Sequence, residues 1–190
     1  MPKPDARRRR HNTDRLNRAP FLNVLETDRL ILRRLNAEDA PFILELLNDP
    51  GWLRFIGDKG VRTLDDARNY IRNGPADMYA RLGHGLYLAS LKDGGAPIGL
   101  CGLIKRDGLD DVDIGFAFLP QYRGRGYALE AAAATLAYGR NTLGLKRIVA
   151  IAAPDNEASA RLLEQIGLRD EGRIQLAHRE QPLRLFATAG

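Results

Sequence analysis

Leu119-Pro120-Gln121-Tyr122-Arg123-Gly124-Arg125-Gly126-Tyr127-Ala128 joins an apolar strand-like run, Val112 to Leu119, to an alanine-rich helical run, Gly126 to Tyr138. Glycine at two alternate positions lets the backbone turn its N–H groups inward, and a helix N-terminus adds partial positive charge. Such a loop is a phosphate cradle, with Arg123 and Arg125 bringing more positive charge beside it. Two familiar cradles are excluded. The dinucleotide fingerprint needs a third glycine three places after Gly126, where Leu129 stands. The P-loop needs Gly-Lys-Ser/Thr, which is absent. Judged by glycine spacing alone, the stretch could equally be an arginine-rich surface turn before a core helix.

Upstream, Leu86 to Leu91, Ile98 to Ile104 and Val112 to Leu119 read as strands. The turn signals Gly94-Gly95 and Asp107-Gly108 between them predict antiparallel neighbours. Arg29 to Arg34 reads as an earlier strand. Asn36 caps a helix that carries Phe42, Ile43, Leu46 and Leu47 and stops near Asn48-Asp49-Pro50. Thr63 caps a second, bearing Leu64, Ala67, Tyr70 and Ile71 and ending at Asn73-Gly74-Pro75. Downstream, the alanine-rich run is apolar nearly all round and should be a buried helix. Arg147 to Ala152 is a short apolar strand. Asn156 caps a helix through Ile166, with Gly167 as its left-handed stop. Gly172 to Ala177 and Leu183 to Ala187 look like a closing hairpin. This order predicts an α/β (α+β) sandwich: a mixed, largely antiparallel sheet of about seven strands flanked by four helices.

Composition sets the outer bounds. A chain of 190 residues, 44% apolar and 28% charged, fits one soluble domain with a sizeable core. Its net charge of +5 hints at nucleic acid until it is located. Residues 1 to 18 hold Lys3, Arg7, Arg8, Arg9, Arg10, Arg15 and Arg18 against Asp5 and Asp14. Removing those seven from 29 basic residues and those two from 24 acidic ones leaves 22 of each, a neutral remainder. Residues 1–20 thus read as a basic, flexible tail and 21–190 as the single domain. The tail could contact nucleic acid or acidic lipid through its arginine run, or be a solvated extension without consequence. No apolar run approaches the roughly 18 to 20 residues of a membrane span, and no secretory signal is expected. Cys101, the single cysteine, excludes an internal disulfide framework and fits a reducing, cytoplasmic setting. His11, His84 and His178 are too scattered for a zinc cluster.

Gln121-x-x-Gly124-x-Gly126 after an apolar strand resembles the Gln/Arg-x-x-Gly-x-Gly/Ala signature of the GCN5-related N-acetyltransferases, which use acetyl-coenzyme A. The resemblance extends to Glu26 to Leu35 (ETDRLILRRL), Pro97 to Leu103 (PIGLCGL), Asp113 to Pro120 (DIGFAFLP) and Asn156 to Leu168 (NEASARLLEQIGL). These segments are similar, in matching order, to the branch containing ribosomal-protein alanine N-acetyltransferases. The resemblance implies that the backbone of Gln121, Tyr122, Arg123, Gly124, Arg125, Gly126 and Tyr127 receives the coenzyme A pyrophosphate. It implies that Phe116, Ala117 and Phe118 pair their backbone with the pantetheine arm, in a splay between their strand and Arg147 to Ala152. Asn156 would contact the cofactor, with Ser159 close by. Asn156 is also an ordinary helix cap, and the two roles are compatible.

The implied reaction is direct acetyl transfer from thioester to amine without a covalent enzyme intermediate. The amine must lose a proton, and the tetrahedral oxyanion needs a donor. The backbone N–H of Phe116 is the candidate donor. Asp113 is the candidate base, where this branch often carries glutamate before Ile-Gly. It shares a strand face with the small Gly115 and Ala117, which leave room for a substrate. The alternative is a solvated edge-strand carboxylate beside Asp110 and Asp111. Cys101 has no histidine placed to activate it and reads as a buried small residue. One departure stands out: Leu163 takes the position where many members carry a tyrosine that reprotonates the thiolate. The expected partners are acetyl-coenzyme A and a primary amine, with no metal and no membrane, in a monomer or homodimer. The acceptor is a protein N-terminus or a small amine such as an aminoglycoside or polyamine. A non-catalytic acyl-coenzyme A sensor on the same fold is the alternative.

Overall fold

A computed structural model describes residues 22–177 and 179–189. The basic tail expected over residues 1–20 lies outside them. The described residues build one eight-stranded sheet. In chain order its strands are β1 (Asn23–Glu26), β2 (Leu30–Arg34), β3 (Leu86–Leu91), β4 (Pro97–Ile104), β5 (Val112–Phe118), β6 (Ile148–Ala152), β7 (Leu168–Ile174) and β8 (Leu183–Thr188). The spatial order is β1-β2-β3-β4-β5-β6-β8-β7. Every neighbouring pair is antiparallel except β5 and β6. Glycine turns join β3 to β4 and β4 to β5, as their spacing predicted, because a short connection permits only an antiparallel return.

Six α-helices cover the two faces: α1 (Ala40–Leu47), α2 (Pro50–Phe55), α3 (Leu64–Ile71), α4 (Asp77–Leu82), α5 (Tyr127–Asn141) and α6 (Glu157–Gln165). On one face Phe118, Ala131, Ala132, Ile148 and Leu163 pack with α5 and α6. On the other, Ile43, Leu46, Ala67 and Ile71 from α1 and α3 pack against Leu88 and Leu100. β5 therefore lies inside the sheet with helices on both sides. Alternation puts Asp113, Gly115 and Ala117 on the α1–α4 face.

Three local expectations are corrected. Asn48-Asp49-Pro50 ends α1 but also starts α2: Asp49 is the N-cap, accepting from the Trp52 amide, and Pro50 is the first helical residue, where no N–H is missed. Asn73-Gly74-Pro75 does not end the second helix. A π-helical turn over Arg72–Ala76 absorbs Pro75 and continues into α4, since a widened turn can accommodate the missing donor. The strand expected at 172–177 begins at Leu168, directly after Gly167 at φ 96°. β1 carries only four residues, two of them exposed, so it left no strand pattern to read.

Candidate active site

Backbone alternation in β5 shapes the centre of the molecule. The Leu119 amide donates to the Ile98 carbonyl, and Ala117 and Gly115 oppose Leu100 and Gly102 in the same register. Residues of that parity spend their hydrogen bonds on β4, so Phe116 and Phe118 aim their N–H and C=O groups the other way. On that side β6 pairs only with Val112 and Asp113. Beyond Asp113 the two strands part, and the outward amides and carbonyls of β5 border a cavity of about 730 Å³.

At one end the cavity meets the cradle. Gly124 and Gly126 sit at φ 70° and 79°, a region that side chains resist. Gly126 is the N-cap of this 15-residue helix and, lacking a side chain, offers no cap to its first-turn amides. A Cβ at Gly124 would meet nothing within 4 Å. Open space in front of uncapped amides fits a phosphate. Arg29 braces this turn from the residue before β2, its Nε on Glu130 at 2.6 Å and its Nη1 on the Arg125 carbonyl at 3.0 Å.

The arginines of the loop are differently employed. Arg123 lines the cavity, but its guanidinium is ion-paired with the buried carboxylate of Asp49, and its Nε donates to the Phe118 carbonyl at 2.8 Å. It ties the loop to the start of α2. Arg125 lies outside the cavity lining, 5.5 Å from the Tyr127 ring centroid. Gln121 also lies outside, on a smaller depression between the loop and α1. The remaining expected cofactor residues, Phe116, Ala117, Phe118, Tyr122, Gly124, Gly126, Tyr127, Asn156 and Ser159, all border the main cavity. Asn156 caps α6, accepting from the Ser159 amide at 3.2 Å.

At the other end lies Asp113, 1% exposed. It is neither solvated nor on an edge strand. Arg106 grips its Oδ2 at 2.8 to 2.9 Å, whereas its buried Oδ1 has no hydrogen-bond partner. Burial pushes the carboxyl up to about 6, against the opposing pull of Arg106 and, more weakly, of the Ile151 backbone across the splay. The neighbouring acids do not join it: Asp111 pairs with Arg147, and neither Asp110 nor Asp111 borders the cavity. Leu163 borders it without a titratable group. Cys101 is fully buried, its thiol pushed up to about 12 by desolvation, so it is no nucleophile.

Sequence reasoning missed Arg106, Lys59, Tyr70 and Trp52, all of which line the cavity. They come from four separate segments, and no spacing links them to Asp113. The π turn that breaks the expected helix stop is the only local signal, because its Gly74 and Pro75 also line the cavity.

A glycine turn at a helix start thus opens onto a splayed strand whose outward backbone borders the cavity, an arrangement with room for an extended ligand that carries a phosphate. Residues 29–169 match the family described as Acetyltransferase (GNAT) domain. The chain is 32% identical over 148 residues to the uncharacterized N-acetyltransferase YnaD of Bacillus subtilis, covering 78% of this chain and 84% of that protein. The crystal structure of an acetyltransferase from Agrobacterium tumefaciens superposes with a TM-score of 0.72 at 28% identity, covering 87% of this chain and 94% of the other. The ribosomal-protein-S5-alanine acetyltransferase of Vibrio fischeri shares the fold, with a TM-score of 0.71 at 18% identity over 86% of this chain and 94% of the other. This chain belongs to the GNAT acetyltransferase family. It is an acyltransferase whose co-substrate is acetyl-coenzyme A. No group of three or more metal-ligating side chains occurs among the described residues, and no described helix is long and apolar enough to cross a membrane.

Proposed function

We propose that this protein transfers acetyl directly from acetyl-coenzyme A to a primary amine, on a protein N-terminus or a small molecule, with Asp113 as general base. The observation that carries the reading is one continuous cavity bordered by Gly124 and Gly126, the outward backbone of Phe116 and Phe118, and the buried Oδ1 of Asp113. The amides from Gly124 to Tyr127 receive the pyrophosphate, those of Tyr122 and Arg123 being spent on Leu119 and Pro120, and β5 aligns the pantetheine arm along the outward backbone at Phe116, the Phe118 carbonyl being held by Arg123. Asn156 and Ser159 border the arm from α6. The acetyl thioester supplies the electrophile.

Asp113 accepts the proton released as the amine attacks. A carboxyl raised to about 6 is a stronger base than an ordinary aspartate yet is ionised at neutral pH. Arg106 holds one oxygen and leaves the other free for the amine. The Phe116 N–H supports the negative oxygen that forms on the acetyl carbon, because its strand neighbour on that side is missing. With Leu163 at the usual tyrosine position, the leaving thiolate is protonated by water or departs unprotonated. The direct test is thiol release from acetyl-coenzyme A across a panel of amines and peptides. Binding of acetyl-coenzyme A without thiol release from any acceptor would overturn the reading in favour of a sensor.

A further inference from the structure

The acceptor end carries more positive charge than the base requires. Arg106 and Lys59 border the cavity, and only Asp113 opposes them there. Arg179 lies alongside: its guanidinium donates to the Ile56 carbonyl and comes within 4.0 Å of a Cβ built at Gly57. The acid next to Lys59 in the chain, Asp58, is engaged by Arg62. Among the described residues Lys59 has no acidic partner. Desolvation and the fields of Arg106 and Arg179 all lower its pKa, so the ammonium group is poorly compensated. Three cations against one carboxylate leave a local excess of two positive charges. Close by, the buried Asp113 Oδ1 lacks a donor.

A cavity with an unmatched acceptor at its floor and unmatched cations at its mouth complements a molecule with opposite charges at its two ends. We infer that the acceptor is a primary amine carrying a carboxylate close to it, the amine directed to Asp113 and the carboxylate to Lys59 and Arg106. This inference rests on the transfer reading above and adds the substrate class. A polyamine would bring two or more further cations against the excess and should be rejected. The cationic surroundings also favour the neutral form of an entering amine, which is the form that attacks. Two sources share this chemistry: free amino acids, and peptides whose first residue is acidic.

The test pairs each acid with its uncharged counterpart. Free amino acids are compared with their carboxamides, Asp- and Glu-initial peptide amides with Asn- and Gln-initial ones, and spermidine is included. Thiol release is measured for each, and calorimetry on the coenzyme A-saturated full-length protein measures binding without turnover. A charge-assisted contact predicts a preference of about tenfold or more for the acid in the matching arm. Lys59→Glu should shrink that preference below about threefold, and Lys59→Gln should fall between. Both variants should keep their coenzyme A affinity, since Lys59 lies between α2 and α3, outside the glycine turn that precedes α5. Equal handling of acid and amide, a preference for spermidine, or an undiminished preference in Lys59→Glu would overturn the inference while leaving acetyl transfer intact. Tighter binding of acids without thiol release would support the anion site and overturn the transfer reading instead.

Discussion

The two ends of the cavity are built from different materials. The cradle is backbone: uncapped amides at the start of α5, held open by two glycines at positive φ within three residues of each other. The acceptor end is side chain: Lys59, Tyr70, Arg106 and Asp113 converge from loops, a helix and a strand. A backbone site works with almost any neighbouring side chains, provided the turn is possible, so one short segment encodes it. A side-chain site depends on where distant segments meet. The cradle should therefore fail through changes in backbone access and the acceptor end through changes in charge, each without harming the other.

The largest effect is expected at the cradle. Gly124→Glu places a negative side chain in the space open to phosphate and should remove measurable acetyl-coenzyme A binding by calorimetry. Gly124→Ala separates strain from charge: the left-handed backbone costs roughly 1 to 2 kcal/mol of stability, but binding should survive in weakened form. Unchanged affinity in a folded Gly124→Glu protein would mean that phosphate binds elsewhere.

Asp113→Asn should lower kcat by about 10² to 10⁴ while acetyl-coenzyme A affinity stays near wild type. The pH profile sharpens this. Wild-type activity should fall on the acidic side as pH drops through about 6 and Asp113 takes up its proton, and that limb should vanish in the variant. The same shift has a stability sign. Because the folded carboxyl lies above its usual 3.8, the native state holds the proton more tightly than the unfolded chain. The resulting destabilisation is absent below pH 3.8, grows as pH rises and is complete above about 6. Turnover within threefold of wild type and an unaltered profile would leave Asp113 a purely structural partner of Arg106.

Arg123→Ala addresses the join between the two regions. It strands the buried Asp49 carboxylate and should cost about 1 to 3 kcal/mol in chemical denaturation, towards the lower end because the arginine is half exposed. Loss of acetyl-coenzyme A affinity should be several-fold rather than complete, since Arg123's charge is already matched by Asp49. A collapse of binding at unchanged stability would make Arg123 a direct phosphate ligand. The smallest effect is expected at Asn156→Ala, which removes the α6 cap and should lower stability by about 1 kcal/mol. A drop in acetyl-coenzyme A affinity beyond that loss would show that the side chain also touches the cofactor.

Much of this was legible in the residues. Periodicity and turn glycines located seven of the eight strands, because half-buried strands and buried helices imprint their packing on local composition. Gly124 and Gly126 announced the turn into α5, since glycine takes its positive φ without strain. Asp113 was legible as a carboxylate beside small residues, but not as a buried one. Asn48-Asp49-Pro50 shows the limit on the other side: the same three residues can end one helix or start the next, and packing of Trp52 against α1 and α3 decides for both.

What the sequence determined by itself was the order of elements, the glycine turn before α5 and the family, all of which depend on neighbours along the chain. Only the tertiary structure decided that β5 and β6 separate after Asp113, that Asp49 neutralises Arg123, and that Lys59 falls within the fields of Arg106 and Arg179 while Arg106 holds Asp113. The reason is physical. Hydrogen bonding and helix capping act within a few residues, whereas desolvation and Coulomb fields act through space, and a residue's charge environment exists only once the chain has folded around it.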